Sequence, residues 1–457
     1  MKYQIETNMK RNLLFILPLL FIFAACKTDN NAEPSVKLSP SSISTNSVAS
    51  TTTLSVVSNY DWTLLSDQTW CVPSVTSGKA GVTATTTISI AANTSTLQRT
   101  ANLAFNVNKA TITTATCTQA AEEKYKLPVI FHVLYHTSTD ALQHVTQAQI
   151  SKIMSAVNTL YSNNNINLEF DLATADPNGN ALSEAGIDRQ YISTDSLDCD
   201  KFMNGTLPPS DNSKYVSMLW NLNKYINVFL YEFKTDNSGY VTMGITHLPY
   251  VSSTKTLTGL TVGDYYLTHN WEYPHCASIN SSFIYEYDPT SGYYNPYDVS
   301  VTIAHELGHY LGLFHVFTEV GATQCSGNDY CGDTPNYDRS TYEKWLINYI
   351  QTHKDLTLSD LLPRTNCETS ATFNGDNIMD YEYCKSDAFT TDQRARIRFI
   401  LNYGLFIPGT KFNSSTVTSS SKALGSSAVR PPILYESIGT YKGVVKSFQR
   451  MKTTSKK

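Results

Sequence analysis

The chain carries little charge for its length. Only 16% of its 457 residues are Asp, Glu, Lys or Arg, and 34 basic against 39 acidic residues leave a formal net charge of -5. No dense basic run occurs; the nearest, Lys452 to Lys457, reads as a tail. Phosphate binding needs clustered Lys and Arg, so nucleic acid is not an expected partner. None of the nine cysteines stands in a C-x-x-C spacing, which argues against a structural zinc ribbon. Internal repeats are absent. Long apolar runs are missing too: Leu13 to Ala25 offers about thirteen apolar residues where a bilayer span takes about twenty. What remains is ample apolar content, 41%, in a chain too long for one ordinary domain.

That apolar run follows Lys10 and Arg11 and ends directly at Cys26, so it suits a signal-peptide core. Small residues before a Cys resemble the bacterial lipoprotein cleavage box, with Phe23 in place of the usual Leu. The expectation is a lipoprotein signal over residues 1–25, a lipidated Cys26, and a polar tether over 26–34. Such a chain is exported and lipid-anchored at the bacterial outer membrane or cell surface. The alternative is an ordinary secretory signal. Setting Cys26 aside leaves an even number of cysteines, and an exported protein with that count is expected to form disulfides.

Residues 35–121 are rich in Thr and Ser, with alternating β-branched runs at Thr51 to Ser58, Val82 to Ile90 and Arg99 to Val107. Turn residues such as Ser58-Asn59 and Ser77-Gly78 separate them. Short alternating strands at this spacing predict a small all-β sandwich. Ser58-Asn59, Trp62, Trp70, Ser77-Gly78, Asn93, Arg99 and Thr118-Gln119-Ala120 resemble the BACON domain, an immunoglobulin-like module. The resemblance implies either carbohydrate binding or a spacer. No cluster of aromatics suited to a sugar platform is evident, which favours the spacer.

From Lys124 the pattern becomes mixed α/β. Leu127 to Tyr135 reads as a buried strand. Thr146 to Gln149 opens a helix whose apolar positions are Ile150, Ile153, Met154, Val157 and Leu160. Further strands are expected at Leu168 to Ala173 and Tyr225 to Phe233, and helices at Val299 to Leu311, Tyr342 to Thr352 and Thr390 to Leu401. The Ser-rich stretch over residues 406–457 is expected to be a flexible tail.

The densest chemistry lies in His305-Glu306-Leu307-Gly308-His309-Tyr310-Leu311-Gly312-Leu313-Phe314-His315. Two His four apart share one helix face and can ligate one ion. Gly312 can adopt the left-handed conformation that turns the chain, bringing His315 round as a third ligand. Three neutral imidazoles leave one tetrahedral position open, the arrangement of a catalytic zinc. Glu306 would then serve as general base for an attacking water. A lone H-E-x-x-H is weak; Gly312 and His315 at their offsets make coincidence improbable.

Downstream stands Asn377-Ile378-Met379-Asp380-Tyr381. Together with Phe170 to Asn180, Trp220, Lys224 to Val228 and Gly332-Asp333-Thr334-Pro335, these blocks over Lys124 to Gly404 resemble the pappalysin family of metzincin zinc peptidases. The resemblance implies an α/β catalytic domain over 124–405 that cuts protein or peptide substrates, with Met379 as the Met turn and Tyr381 stabilising the tetrahedral intermediate. It also implies an edge strand near Val241 to Pro249 to which substrate adds antiparallel. Calcium is implied near Asn328, Asp329, Asp333 and Thr334, the alternative being that these residues form turns. Disulfides are implied near Cys325, Cys367 and Cys384; Cys331 is extra, so Cys325–Cys331 with Cys367–Cys384 is one of three pairings. Tyr383 stands where Arg-specific relatives carry an acid, so a basic primed-side preference is not expected.

Overall fold

The computed structural model describes residues 32–235, 240–318, 329–381, 383–411, 429–441 and 451–452. The signal segment, Cys26, Cys325 and Asn328 lie outside them. Two units are present, Met1–Glu123 and Lys124–Lys457.

The first unit is β-rich. One sheet runs in the order Val36–Ser39, Ser50–Ser58, Ala84–Ile90, Cys71–Pro73; the other runs Ser42–Thr45, Ala110–Gln119, Arg99–Val107, Trp62–Ser66, Ser77–Gly78. Alternation along each strand sends every second side chain inward. Leu54, Val56, Ile88 and Ile90 of one sheet thus share a core with Trp62, Leu64, Leu103 and Phe105 of the other. Asn93 donates to the carbonyls of Leu97 and Ala120, at 2.9 and 2.8 Å. Arg99 donates to the Gln119 side chain at 2.8 Å and lies 4.3 Å over the Trp70 ring. Trp62 is buried, and Trp70 packs half-buried against the same core.

The second unit is built on a mixed sheet. Its order is Leu168–Leu172, Tyr125–Tyr135, Ile226–Tyr231, Ala277–Asn280, Tyr240–His247 and Tyr435–Tyr441, with Ile187–Tyr191 also pairing Tyr125–Tyr135. The first four strands are parallel; the last two pair antiparallel. Leu127, Val129, Phe131 and Val133 face a core shared with helices Gln147–Asn163 and Val299–Tyr310. Leu134 and Phe229 join Phe202 in a separate cluster. Thr146 caps the first helix by accepting from Gln149 N at 3.2 Å, and Tyr161 completes its buried stripe while Leu160 is only partly covered. The helix expected at Tyr342 begins earlier, as Arg339–Thr352, because Asp338 caps it through Thr341 N at 2.9 Å.

Two expectations need correcting. Residues 406–457 are not all tail: Tyr435–Tyr441 forms the outermost strand of the mixed sheet among the described residues. Strand Tyr240–His247 is therefore no open edge. The disulfide pairing also differs. Cys331 and Cys384 are free, as are Cys71, Cys117, Cys199 and Cys276, whereas Cys367 is disulfide-bonded. Cys384 is instead buried with its thiol 3.3 Å from the Asn377 carbonyl. Among the described residues no helix is long and apolar enough to cross a membrane.

Candidate metal centre

Helix Val299–Tyr310 begins at Asp298, whose carboxylate accepts from Ser300 N at 2.9 Å, and it is buried along almost its whole length. The four-residue spacing sets His305 and His309 on one face. The helix ends at Gly312, whose φ of +89° is the left-handed conformation that glycine adopts at low cost. The turn brings His315 back toward the helix, so that His309 Nε2 lies 2.9 Å from His305 Nε2 and 3.1 Å from His315 Nε2. A tetrahedral zinc with bonds of about 2.0–2.1 Å holds its nitrogens roughly 3.3 Å apart. Among the described residues this is the one cluster of His, Cys, Asp or Glu suited to a metal ion.

The far side of each ring explains the orientation. His305 Nδ1 donates to the Ile378 carbonyl at 2.7 Å, and His309 Nδ1 donates to the Leu313 carbonyl at 2.9 Å. His315 Nδ1 lies 3.6 Å from a Glu436 carboxylate oxygen. With Nδ1 protonated, Nε2 presents a lone pair. Burial holds His305 and His309 well below the usual imidazole range, which keeps them neutral. Three lone pairs converging in a buried space repel one another unless a cation joins them. The donor set therefore fits zinc.

Glu306 is fully buried beside this cluster, and burial pushes its carboxyl well above the usual range. Its Oε1 accepts from Ile438 N at 3.2 Å, while Oε2 has no hydrogen-bond partner. Strand residue Gly244 makes room for it, since a Cβ there would sit 2.6 Å from both Cγ and Oε1 of Glu306. Its own strand is irregular at the same place: the register with Tyr435–Tyr441 shifts between Thr242 and Gly244. Glycine inside a strand marks either a bulge or a close approach, and here it does both. Sequence reading missed this residue, although a glycine between Met243 and Ile245 was the available signal.

The turn around Met379 lies against the motif helix. A Cβ on Gly308 would meet Met379 Sδ at 2.5 Å. Asn377 accepts from Met379 N at 2.9 Å and exchanges side-chain hydrogen bonds with Gln393, the capping-box residue of helix Thr391–Tyr403. Tyr381 presents its ring edge-on to His315, with centroids 4.9 Å apart, and its phenol donates to the Ser437 carbonyl. The Arg339 guanidinium lies 4.1 Å over the Tyr381 ring, a contact the sequence did not suggest. Tyr383 is buried, and its N–H donates to the Tyr294 hydroxyl at 2.6 Å.

The loop expected to hold calcium uses its oxygens locally. Asp329 accepts from Thr334 Oγ1 at 2.7 Å and from Cys331 N at 3.1 Å. Asp333 accepts from Asp392 N at 3.0 Å, while Asp392 accepts from Gly332 N at 2.8 Å. Asp333 is thereby tied to the start of helix Thr391–Tyr403.

Residues 210–402 match the family model Peptidase_M43, "Pregnancy-associated plasma protein-A", a span that contains the three His, Glu306, Met379 and Tyr381. Residues 60–120 match the model "BACON: Putative binding domain, N-terminal". The first is the model of a metallopeptidase family, matched over less than half of the chain. No curated protein matches the chain. Among solved structures, a Bacteroides ovatus GH5 xyloglucanase in complex with a XXXG heptasaccharide matches at 12% identity, covering 45% of this chain and 57% of that one, with a TM-score of 0.20. The chain thus spans little more than half of that enzyme's length. A C. elegans MSP family member, WR4, matches at 8% identity over 19% of this chain and 96% of its own, with a TM-score of 0.16. The GspB Siglec domain matches at 14% identity over 35% and 98%, with a TM-score of 0.20. TM-scores this low establish no shared fold.

Proposed function

We propose that the second unit is a zinc-dependent endopeptidase of the metzincin type, related to the pappalysins, with Glu306 as general base. In this reading the chain is exported and held at a membrane by a lipid on Cys26, with an immunoglobulin-like first unit as spacer. The observation that carries the enzymatic reading is the convergence of three buried imidazole Nε2 atoms beside a buried carboxylate. The spacer role is supported by Trp62 lying in the core and Trp70 lying beneath Arg99.

His305, His309 and His315 would hold the zinc, whose charge supplies Lewis acidity toward water and a peptide carbonyl. Glu306 takes the proton of the attacking water, which forms the new C–O bond, and passes it to the amide nitrogen as the C–N bond breaks. Tyr381 donates its phenolic hydrogen to the carbonyl oxygen as charge gathers there. The burial of Glu306 favours a carboxyl that accepts and then returns a proton.

The test is zinc content together with cleavage of a peptide library, by wild type and by Glu306→Gln. Both proteins are also assayed with the C-terminal strand displaced by Ile438→Asp. One zinc in every protein, with cleavage abolished only by Glu306→Gln, is the expected result. The reading fails if every protein holds one zinc and none cuts any peptide.

A further inference from the structure

The C-terminal strand lies across this site in the manner of a peptide being cut. It pairs antiparallel with Tyr240–His247, placing Ser437 opposite Ile245 and Ile438 opposite Gly244. Ordinary sheet pairing would account for that much. It does not require both ends of one peptide bond to meet the groups that handle protons. Yet the Ser437 carbonyl accepts from the Tyr381 phenol, and the Ile438 N–H donates to Glu306 Oε1 at 3.2 Å. The residue before this bond's carbonyl, Glu436, places its carboxylate 3.6 Å from His315 Nδ1. Ile438 is 4% exposed and helps to line a cavity of about 450 Å³, together with apolar residues such as Met243, Val301 and Leu358 and charged ones such as Asp298, Asp380 and Lys385.

We infer that the Ser437–Ile438 peptide bond is a substrate of the chain's own catalytic centre, cut within the same molecule. The inference rests on the peptidase reading above. Water adds its oxygen to the Ser437 carbonyl carbon, the bond to the Ile438 nitrogen breaks, and Glu306 carries the proton from water to that nitrogen. The products are a Ser437 carboxylate and an Ile438 amine. Until the cut, the strand covers the pairing edge that another peptide would need, so the intact chain is closed to other substrates.

The experiment follows full-length protein by intact mass after zinc is added. Wild type should convert to a species ending at Ser437 with release of Ile438 to Lys457, at a rate independent of protein concentration, and Glu306→Gln should stay whole. Peptide-library cleavage should rise in step with that conversion. A second readout needs no zinc: in metal-free Ile438→Asp, amides of Val241 to His247 should exchange about tenfold faster than in metal-free wild type, because an unpaired charge at this buried position drives the strand off its neighbour. If Ser437–Ile438 of wild type stays intact with zinc while wild type or Ile438→Asp cuts the library, self-cleavage is overturned and the peptidase reading stands. No cleavage of either kind overturns both. Unchanged exchange in Ile438→Asp overturns the seating of Ile438.

Discussion

His305 Nδ1 donates to the Ile378 carbonyl at 2.7 Å, joining the motif helix to the Met379 turn across 73 residues of sequence. One hydrogen bond thus sets both the tautomer of a ligand and the position of the turn. The close packing beside it is the natural place to probe. Gly308→Ala should push a methyl into Met379 Sδ, which lies 2.5 Å from the Cβ position, and cost about 1–3 kcal/mol by overpacking. Thermal unfolding measures the loss. Wild-type stability in the variant would show that the turn gives way freely.

On the proposed mechanism, Gly244→Ala tests Glu306 apart from the metal site. Its new Cβ would fall 2.6 Å from the Glu306 carboxylate, whereas the three ligand imidazoles are held by the carbonyls of Ile378 and Leu313 and by the Glu436 contact. Zinc content should remain at one per chain while cleavage falls by about 10²-fold or more, since displacement of a reacting group by about 1 Å carries that penalty. Loss of zinc in the variant would mean that the strand, not the carboxylate, was disturbed.

Tyr381→Phe removes the phenolic donor but keeps the ring that faces His315 and Arg339. Loss of a donor to a developing oxyanion lowers kcat by about 10²–10³-fold, with KM little changed. Steady-state kinetics on a library peptide decide it. A rise in KM at constant kcat would assign Tyr381 to substrate binding alone.

His247 makes acid stability a second handle, remote from the metal ligands. It is fully buried: Nε2 donates to the Met203 carbonyl at 3.0 Å, and Nδ1 lies 3.1 Å from both the backbone nitrogen and the carbonyl oxygen of Cys276. Burial pulls its pKa down to about 4, from 6.5 for a free imidazole. Between those values the unfolded chain binds the proton and the folded chain does not, so stability falls as pH falls through that window. The contribution reaches about 3 kcal/mol. Its buried neighbour His275, 5.1 Å away by ring centroid, is depressed by burial as well and adds in the same direction. Denaturant midpoints at pH 7.5 and pH 4.5 should therefore differ less in His247→Gln than in wild type. Equal pH dependence would show that His247 does not titrate on unfolding.

Much of this was legible in the chain alone because it depends on short-range rules. His305 and His309 at helical spacing, Gly312 at the turn, and Thr146, Asp298 and Thr390 as caps are all set within a few residues of themselves. The strand at Tyr125–Tyr135 announced itself by an apolar run interrupted only by His132 after Leu127, as a strand buried on both faces does. The C-terminal strand did not. It follows a Ser-rich stretch, is broken by Gly439, and its partner lies nearly two hundred residues earlier, so no local pattern marks it.

By itself, then, the sequence determined which atoms can bind the metal and which carboxylate stands beside them, because ligand spacing and helix geometry are local. Only the tertiary structure decided that Gly244 yields space to Glu306, that Ile378 orients His305, and that Ser437–Ile438 lies between Tyr381 and Glu306. Those contacts join residues far apart in sequence. They arise from strand pairing and core packing, which are settled by the whole sheet and not by any one of its strands.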